Sequence, residues 1–173
     1  MKILALDTAT KTGWAIFDSA SGRIIESGVQ DFAKRRGESN GLMFLRFRVW
    51  LSHIIATARP DLIAYERAHH RGGAATEICV NLTGRVQEAA ADNGLECATV
   101  PTMTLKKWAT GKGNAGKPEM IAAARKLIGR EPIDDNESDA VMIAAWAACE
   151  YDWNIEKEKS NVISKSKLRD VRR

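Results

Sequence analysis

The chain has 173 residues, 45% of them hydrophobic and 28% charged, the make-up of a single folded domain and not of a disordered chain. No apolar run approaches the roughly 20 residues that cross a bilayer, and Met1 leads straight into Lys2 and an apolar strand rather than a secretion signal. Cys79, Cys97 and Cys149 form no CxxC pair; this odd set argues for reduced thiols in a cytosol, buried as small hydrophobes, and against zinc.

The net charge of +4 is unevenly spread. Residues 156–173 hold seven Lys or Arg against three acids, and the rest of the chain balances. Residues 102–130 are also locally basic: Lys106, Lys107, Lys112, Lys117, Arg125, Lys126 and Arg130 face only Glu119. Two basic segments on a neutral body point to a polyanionic partner, although a charged tail alone is as readily explained by solvation.

In chain order, Ile3 to Leu6 is a short unbroken apolar run, expected of a strand buried on both faces. It ends in Asp7, a charge the interior does not tolerate without a partner. The turn Thr8 to Gly13 leads to a second strand with Trp14 and Ile16 on one face, and Ser21-Gly22 to a third over Ile24 to Phe32. Leu42 to Ala58 reads as a helix stopped by Pro60, with Arg46, Arg48, Ser52 and His53 on its wet face. Leu62 to Tyr65 is a fourth strand and again runs into a carboxylate, Glu66. After a loop with His69, His70 and Arg71, the residues Ala75, Ile78, Cys79, Leu82, Val86 and Ala89 mark one face of a helix that Gly94 ends. Leu95 to Val100 is a fifth strand. Lys117-Pro118 opens a helix closed by Gly129, and the acidic stretch from Asp134 to Asp139 leads into a last helix, Ala140 to about Tyr151.

This order gives an α/β fold: an antiparallel three-strand meander followed by two strands reached through helical, right-handed crossovers. If the fourth strand pairs in parallel with the first, Asp7 and Glu66 leave the sheet at one edge, about 4.8 Å apart, where open α/β sheets keep their ligands. The plain alternative for Asp7 is a turn cap through its own backbone amides. Paired carboxylates repel unless a proton or a metal lies between them. With Asp139 as a third acid from the last helix, a hard divalent cation such as magnesium accounts for the cluster.

Ile3-Leu-Ala-Leu-Asp7 with Gly13, Ile63-Ala-Tyr-Glu66, Thr104-Leu-Lys-Lys-Trp-Ala-Thr-Gly111 with Lys117, and Asn136-Glu-Ser-Asp-Ala140 together resemble the RuvC-like Holliday junction resolvases of the ribonuclease H-like superfamily, in the form often found in phages and prophages. The resemblance spans nearly all of residues 3–150. It implies a ribonuclease H-like five-stranded mixed sheet flanked by helices. The nuclease domain would cover 1–153, with a charged basic tail over 154–173. It also implies a magnesium-dependent endonuclease acting on branched DNA as a homodimer, in the cytoplasm of a bacterial cell or a phage-infected host.

By the same resemblance, Asp7, Glu66, Asn136 and Asp139 hold two Mg2+ ions, with Mn2+ as a substitute, and Lys106 and Lys117 sit on the scissile phosphate. Asn136 stands where many members carry aspartate. Asp135, at i, i+4 from Asp139, is the competing fourth ligand, and capping of the helix accounts for at least one of Asp134, Asp135 and Asn136. The loop from Arg67 to Gly73 matches a segment that approaches the junction centre in relatives. Trp108 is expected in the core. The helix from Ile78 to Ala89, with Gly84 allowing close approach, is the candidate dimer interface. Rival readings are a nuclease acting on RNA or hybrids, a junction-binding protein with a weakened site, and, more remotely, a nucleotide-binding relative of the sugar kinases.

Overall fold

The computed structural model describes residues 1–67 and 72–151; His69, His70, Arg71 and the basic segment 154–173 lie outside the described residues. The first strand, β1 (Lys2–Asp7), sends Ile3 and Ala5 to one face of the sheet and Leu4 and Leu6 to the other, all four fully buried. A strand so enclosed belongs in the middle of a sheet. It pairs antiparallel with β2 (Lys11–Asp18), which pairs antiparallel with β3 (Arg23–Asp31). On its other side β1 pairs in parallel with β4 (Leu62–Glu66), and β4 in parallel with β5 (Glu96–Val100). The order is β3-β2-β1-β4-β5, the meander plus two parallel strands expected from the chain order.

Helices cover both faces. Helix α1 (Asn40–Ala58) and helix α2 (Ala74–Asp92) pack on the Leu4, Leu6 face, where Phe32, Met43, Phe47, Leu51, Leu82 and Val86 close the core. Ser39 caps α1 by accepting from the Leu42 amide, so this helix begins two residues before Leu42. Arg59, left-handed at φ 49°, turns the chain out ahead of Pro60. Phe32 meets the rings of Phe47 and Trp50 edge-on at 5.2 and 5.4 Å, which locks the end of the meander onto α1.

Helices α3 (Thr102–Thr110) and α4 (Lys117–Ile128), and a last helix α5 over 135–151, cover the opposite face. Helix α3 has no counterpart among the sequence expectations. Its only buried residue is Leu105, so it carries no apolar stripe for a periodicity argument to find. The expectation that Trp108 lies in the core fails with it: the side chain is 40% exposed. The thiols are also less buried than expected, with Cys149 exposed and Cys79 and Cys97 only partly covered.

Helix α5 starts at residue 135, well before Ala140, because Asp134 is its cap. One Asp134 oxygen accepts from the backbone amides of Asn136 and Glu137 at 2.9 and 3.1 Å. The acidic stretch is therefore the first turn of the helix and not a loop ahead of it. Ala140, Ala144, Ala147 and Ala148 pack on Ala5, Ala15, Ala64 and Ala98 of the sheet, and small residues on both sides let the two layers approach closely. At the amino end the approach is closest. A Cβ on Gly13 would lie 1.9 Å from the Asn136 carbonyl oxygen.

Gly13→Ala should therefore force α5 off the sheet and cost about 1–3 kcal/mol, as overpacking does. Urea denaturation checks this: the midpoint should fall with little change in slope. An unchanged midpoint would show that the contact can relax.

Candidate active site

Three carboxylates reach one end of the sheet from three different parts of the chain. Leu6 of β1 lies opposite Tyr65 of β4 in parallel register, so the next residues, Asp7 and Glu66, emerge side by side. Asp7 also lies across from Gly13 of β2, over which the first turn of α5 descends. That turn delivers Asn136 and, one turn on, Asp139. Behind the cluster, Thr8 and Thr83 share a hydrogen bond of 3.2 Å that ties the end of β1 to α2. Glu66 accepts a short hydrogen bond from the Thr102 hydroxyl at the start of α3.

The acids act on one another strongly. Burial, then the charges of Asp139 and Glu66, then those of Asp135 and Asp134, hold the Asp7 carboxyl well above the usual range. Asp139 is pushed up to about 7 by burial and by Glu66, with Lys106 and Lys117 pulling the other way. Among the described residues nothing donates a hydrogen bond to either carboxyl. Asp7 is therefore not the cap of its own turn. Among those residues, too, no group of three His, Cys, Asp or Glu side chains is placed so as to hold a metal ion. What the site offers a cation is chemical: hard oxygen donors whose repulsion a divalent ion would relieve.

The two rivals for the fourth position are occupied differently. Asp135 is paired with Lys117 at 2.5 Å, which draws its carboxyl below the ordinary range. Asn136 donates from its amide nitrogen to Asp134 at 3.0 Å, which engages the nitrogen and not the amide oxygen. Asp134 itself is taken up with capping. Lys106, on α3, and Lys117, at the start of α4, both lie within electrostatic reach of Asp139. Asp7, Glu66, Asp139, Lys106, Lys117 and Asn136 are thus brought to one end of the sheet.

Sequence reasoning missed Thr102, whereas the capping by Asp134 is one of the three cap assignments it left open. Thr102 could have been found from register, since Glu66 pairs with Val100 and Thr102 follows two residues later. A groove of about 490 Å³ lies where α2 meets β4 and β5, lined by Tyr65, Arg67, Thr83, Gly84, Gln87 and Thr99 among others.

No family model matches the chain. It is 26% identical over 155 residues to the crossover junction endodeoxyribonuclease RuvC of Synechococcus sp., covering 83% of this chain and 96% of that protein. It is 29% identical over 153 residues to RuvC of Anaeromyxobacter sp., covering 83% and 78%. The Thermus thermophilus RuvC structure superposes with a TM-score of 0.69 at 21% identity, over 84% of this chain and 92% of that one. The chain is similar to RuvC over most of its length. Thermus thermophilus RuvC in complex with a Holliday junction substrate superposes with a TM-score of 0.72, again at 21% identity, over 84% of the RuvC-like chain and 91% of that one. The yeast mitochondrial Holliday junction resolvase follows at 0.59 and 12% identity, over 83% and 75%. At these identities the structural likenesses establish the shared ribonuclease H-like sheet. Among the described residues no helix of the RuvC-like chain is long and apolar enough to cross a membrane.

The raised carboxyls make a pH prediction for the metal-free protein. An acid with a raised folded pKa destabilises the fold once pH exceeds its unfolded value, and the penalty is complete above the folded one. Asp139→Asn should therefore raise the thermal midpoint at pH 8, by about 2–4 °C per kcal/mol of relieved repulsion. The gain should shrink below about pH 7 and vanish near pH 4. Calorimetric scans in a chelating buffer test it; a gain independent of pH would show that Asp139 carries no strained charge.

Proposed function

We propose that this RuvC-like chain is an endodeoxyribonuclease that resolves Holliday junctions by metal-dependent hydrolysis of phosphodiester bonds. The observation that carries the reading is the meeting of Asp7, Glu66 and Asp139, from two neighbouring strands and a helix, with two lysines beside them. The crossover junction endodeoxyribonucleases found as its relatives align over most of both chains. A binding protein has no need to hold acids together against their own repulsion, next to the phosphates it would bind. A nuclease does.

Asp7, Glu66, Asn136 and Asp139 are the proposed ligands for two magnesium ions, with manganese as a substitute. Bound there, the metal supplies an activated water and neutralises charge on the departing oxygen. The residues do the rest. Asp7 and Glu66 are held at fixed separation by strand register, and Thr102 orients the Glu66 carboxyl. Lys106 and Lys117 place ammonium charge where the scissile phosphate gathers negative charge. Trp108 and Lys107, exposed on α3, are placed to hold the DNA strand through a base face and a phosphate.

Paired cuts across a junction call for a two-fold dimer. In helix α2, Leu82, Val86 and Ala89 are committed to this chain's own sheet, while Val80 and Gly84 face outward with open space beyond Gly84. That outer side is the proposed interface. The basic segment 154–173 is proposed to add nonspecific backbone contacts.

The decisive assay compares magnesium-dependent cutting of a four-way junction with that of linear duplex and RNA–DNA hybrid. Cutting confined to the junction is expected, and preferential cutting of the hybrid would move the protein among the ribonucleases. Asp7→Asn, Glu66→Gln and Asp139→Asn should each lower cutting by at least about a hundredfold. Junction affinity should stay near that of the unaltered protein, since phosphate contacts supply most of it. Near-normal cutting by any of the three removes that residue from the site.

The fourth ligand has its own test. Asn136→Ala should raise the magnesium concentration needed for half-maximal cutting, and Asn136→Asp should not. Asp135→Asn should leave that requirement unchanged while slowing the reaction through Lys117, and should add nothing in a Lys117→Ala background. A raised magnesium requirement in Asp135→Asn would transfer the ligand role to Asp135.

A further inference from the structure

Glu137 lies between Asn136 and Asp139, is wholly buried, and takes no part in the chemistry above. Both of its oxygens are fully engaged. One accepts from the Ser27 hydroxyl at 2.7 Å and from an Arg130 nitrogen at 2.5 Å. The other accepts from the second Arg130 nitrogen at 3.2 Å and from the Ile133 amide at 2.5 Å. Arg130 also donates to the Ser27 hydroxyl at 3.1 Å. The cluster thus joins β3, the connection between α4 and α5, and the first turn of α5.

An ion pair in such a place is costly to desolvate, and apolar residues of similar size usually serve stability as well or better. What the pair adds is direction. Ala140, Ala144, Ala147 and Ala148 share the buried cluster with Val141, Met142 and Ile143, but apolar packing is non-directional and does not by itself fix where along the sheet the helix stops. The strand register shows what does. Ser27 pairs with Ala15, which pairs with Ala5; one same-face step along, Val29 pairs with Gly13, which pairs with Asp7. Glu137 is bonded over the first row, and the Asn136 backbone rests over Gly13 in the second. Two adjacent rows of the sheet therefore each hold one residue of the first turn of α5.

We propose that the Ser27–Arg130–Glu137 cluster is a positioning device that sets the register of α5 on the sheet and so the spacing of Asn136 and Asp139 from Asp7 and Glu66. It rests on the reading of Asp7, Glu66, Asn136 and Asp139 as a metal-dependent nuclease site. Glu137 and Arg130 are positioning residues here, acting through the ligands and not on the substrate. Groups bonded directly to a metal ligand change affinity by about 10–100-fold when altered; Glu137 and Arg130 act one step further out, through the helix that carries the ligands, and the low end of that range is expected.

The test separates register from stability by measuring Mn2+ binding to the full chain without DNA, by calorimetry, beside thermal unfolding and junction cutting. Two variants are needed: Glu137→Gln, which keeps the shape but loses the charge, and the double variant Glu137→Met with Arg130→Met, which replaces the pair by apolar groups. We expect Glu137→Gln to weaken Mn2+ binding at least about tenfold. The double variant should unfold at or above the temperature of the unaltered protein yet remain as weak in Mn2+ binding and slow in cutting at saturating metal. Mn2+ affinity close to that of the unaltered protein in either folded variant overturns the proposal. So does a loss that tracks stability and is restored in the double variant. Should the double variant fail to fold, Glu137→Gln held well below its own unfolding transition is judged by the same affinity criterion. Failure of the unaltered protein to bind Mn2+ at all would overturn the nuclease reading together with this one, whereas normal binding that no variant disturbs overturns the positioning role alone.

Discussion

Everything at the site depends on how closely helix α5 sits on the sheet. The helix brings Asp139 to an edge that already holds Asp7 and Glu66, and it can do so only because Gly13 has no side chain where the Asn136 carbonyl passes. The alanine layer beneath continues the same contact along the strands. The geometry that gathers the acids is therefore a packing geometry, set by the absence of volume at a few positions. The cost is electrostatic: burial, and after it the neighbouring acids, raise the Asp7 and Asp139 carboxyls above the usual range, and the metal-free fold carries that penalty.

The surrounding charges are arranged by distance. Lys106 and Lys117 are close enough to pull Asp139 down without neutralising it, and Lys117 is engaged with Asp135. Glu137 is neutralised locally by Arg130 and by hydrogen bonds, which lower its pKa against the effect of burial. Acids one or two residues apart at the start of one helix thus have different fates. Asp134 caps, Asp135 holds a lysine, Glu137 anchors, and Asp139 faces the other carboxylates. Direction around the helix decides which.

A site built this way combines a rigid half and a dockable half. Asp7 and Glu66 belong to paired central strands whose spacing is set by backbone hydrogen bonds. Asn136 and Asp139 arrive on a helix joined to the sheet by side-chain packing and one buried polar cluster. The lysines come on α3 and α4, whose exposed faces are free to meet a polyanion. On the proposed reading, affinity for a nucleic acid and alignment of the acids rest on different elements, and the two can change separately.

Much of this was written locally in the sequence. The apolar run Ile3 to Leu6 ending in Asp7, and Leu62 to Tyr65 ending in Glu66, announce buried parallel strands because period and composition are properties of neighbouring residues. The glycine and proline punctuation at Gly94, Pro118 and Gly129 marks helix ends for the same reason. Helix α3 was not legible, since a helix with one buried residue has no stripe, and the exposure of Trp108 depends on what does not pack against it. Nor could the sequence distinguish Asp134, Asp135, Asn136 and Glu137: all suit a helix start, and their roles depend on Gly13, Lys117, Ser27 and Arg130. Ser27 and Glu137 are 110 residues apart, and no local pattern links them. Strand register and helix seating bring them together, so only the tertiary structure could decide what each acid does.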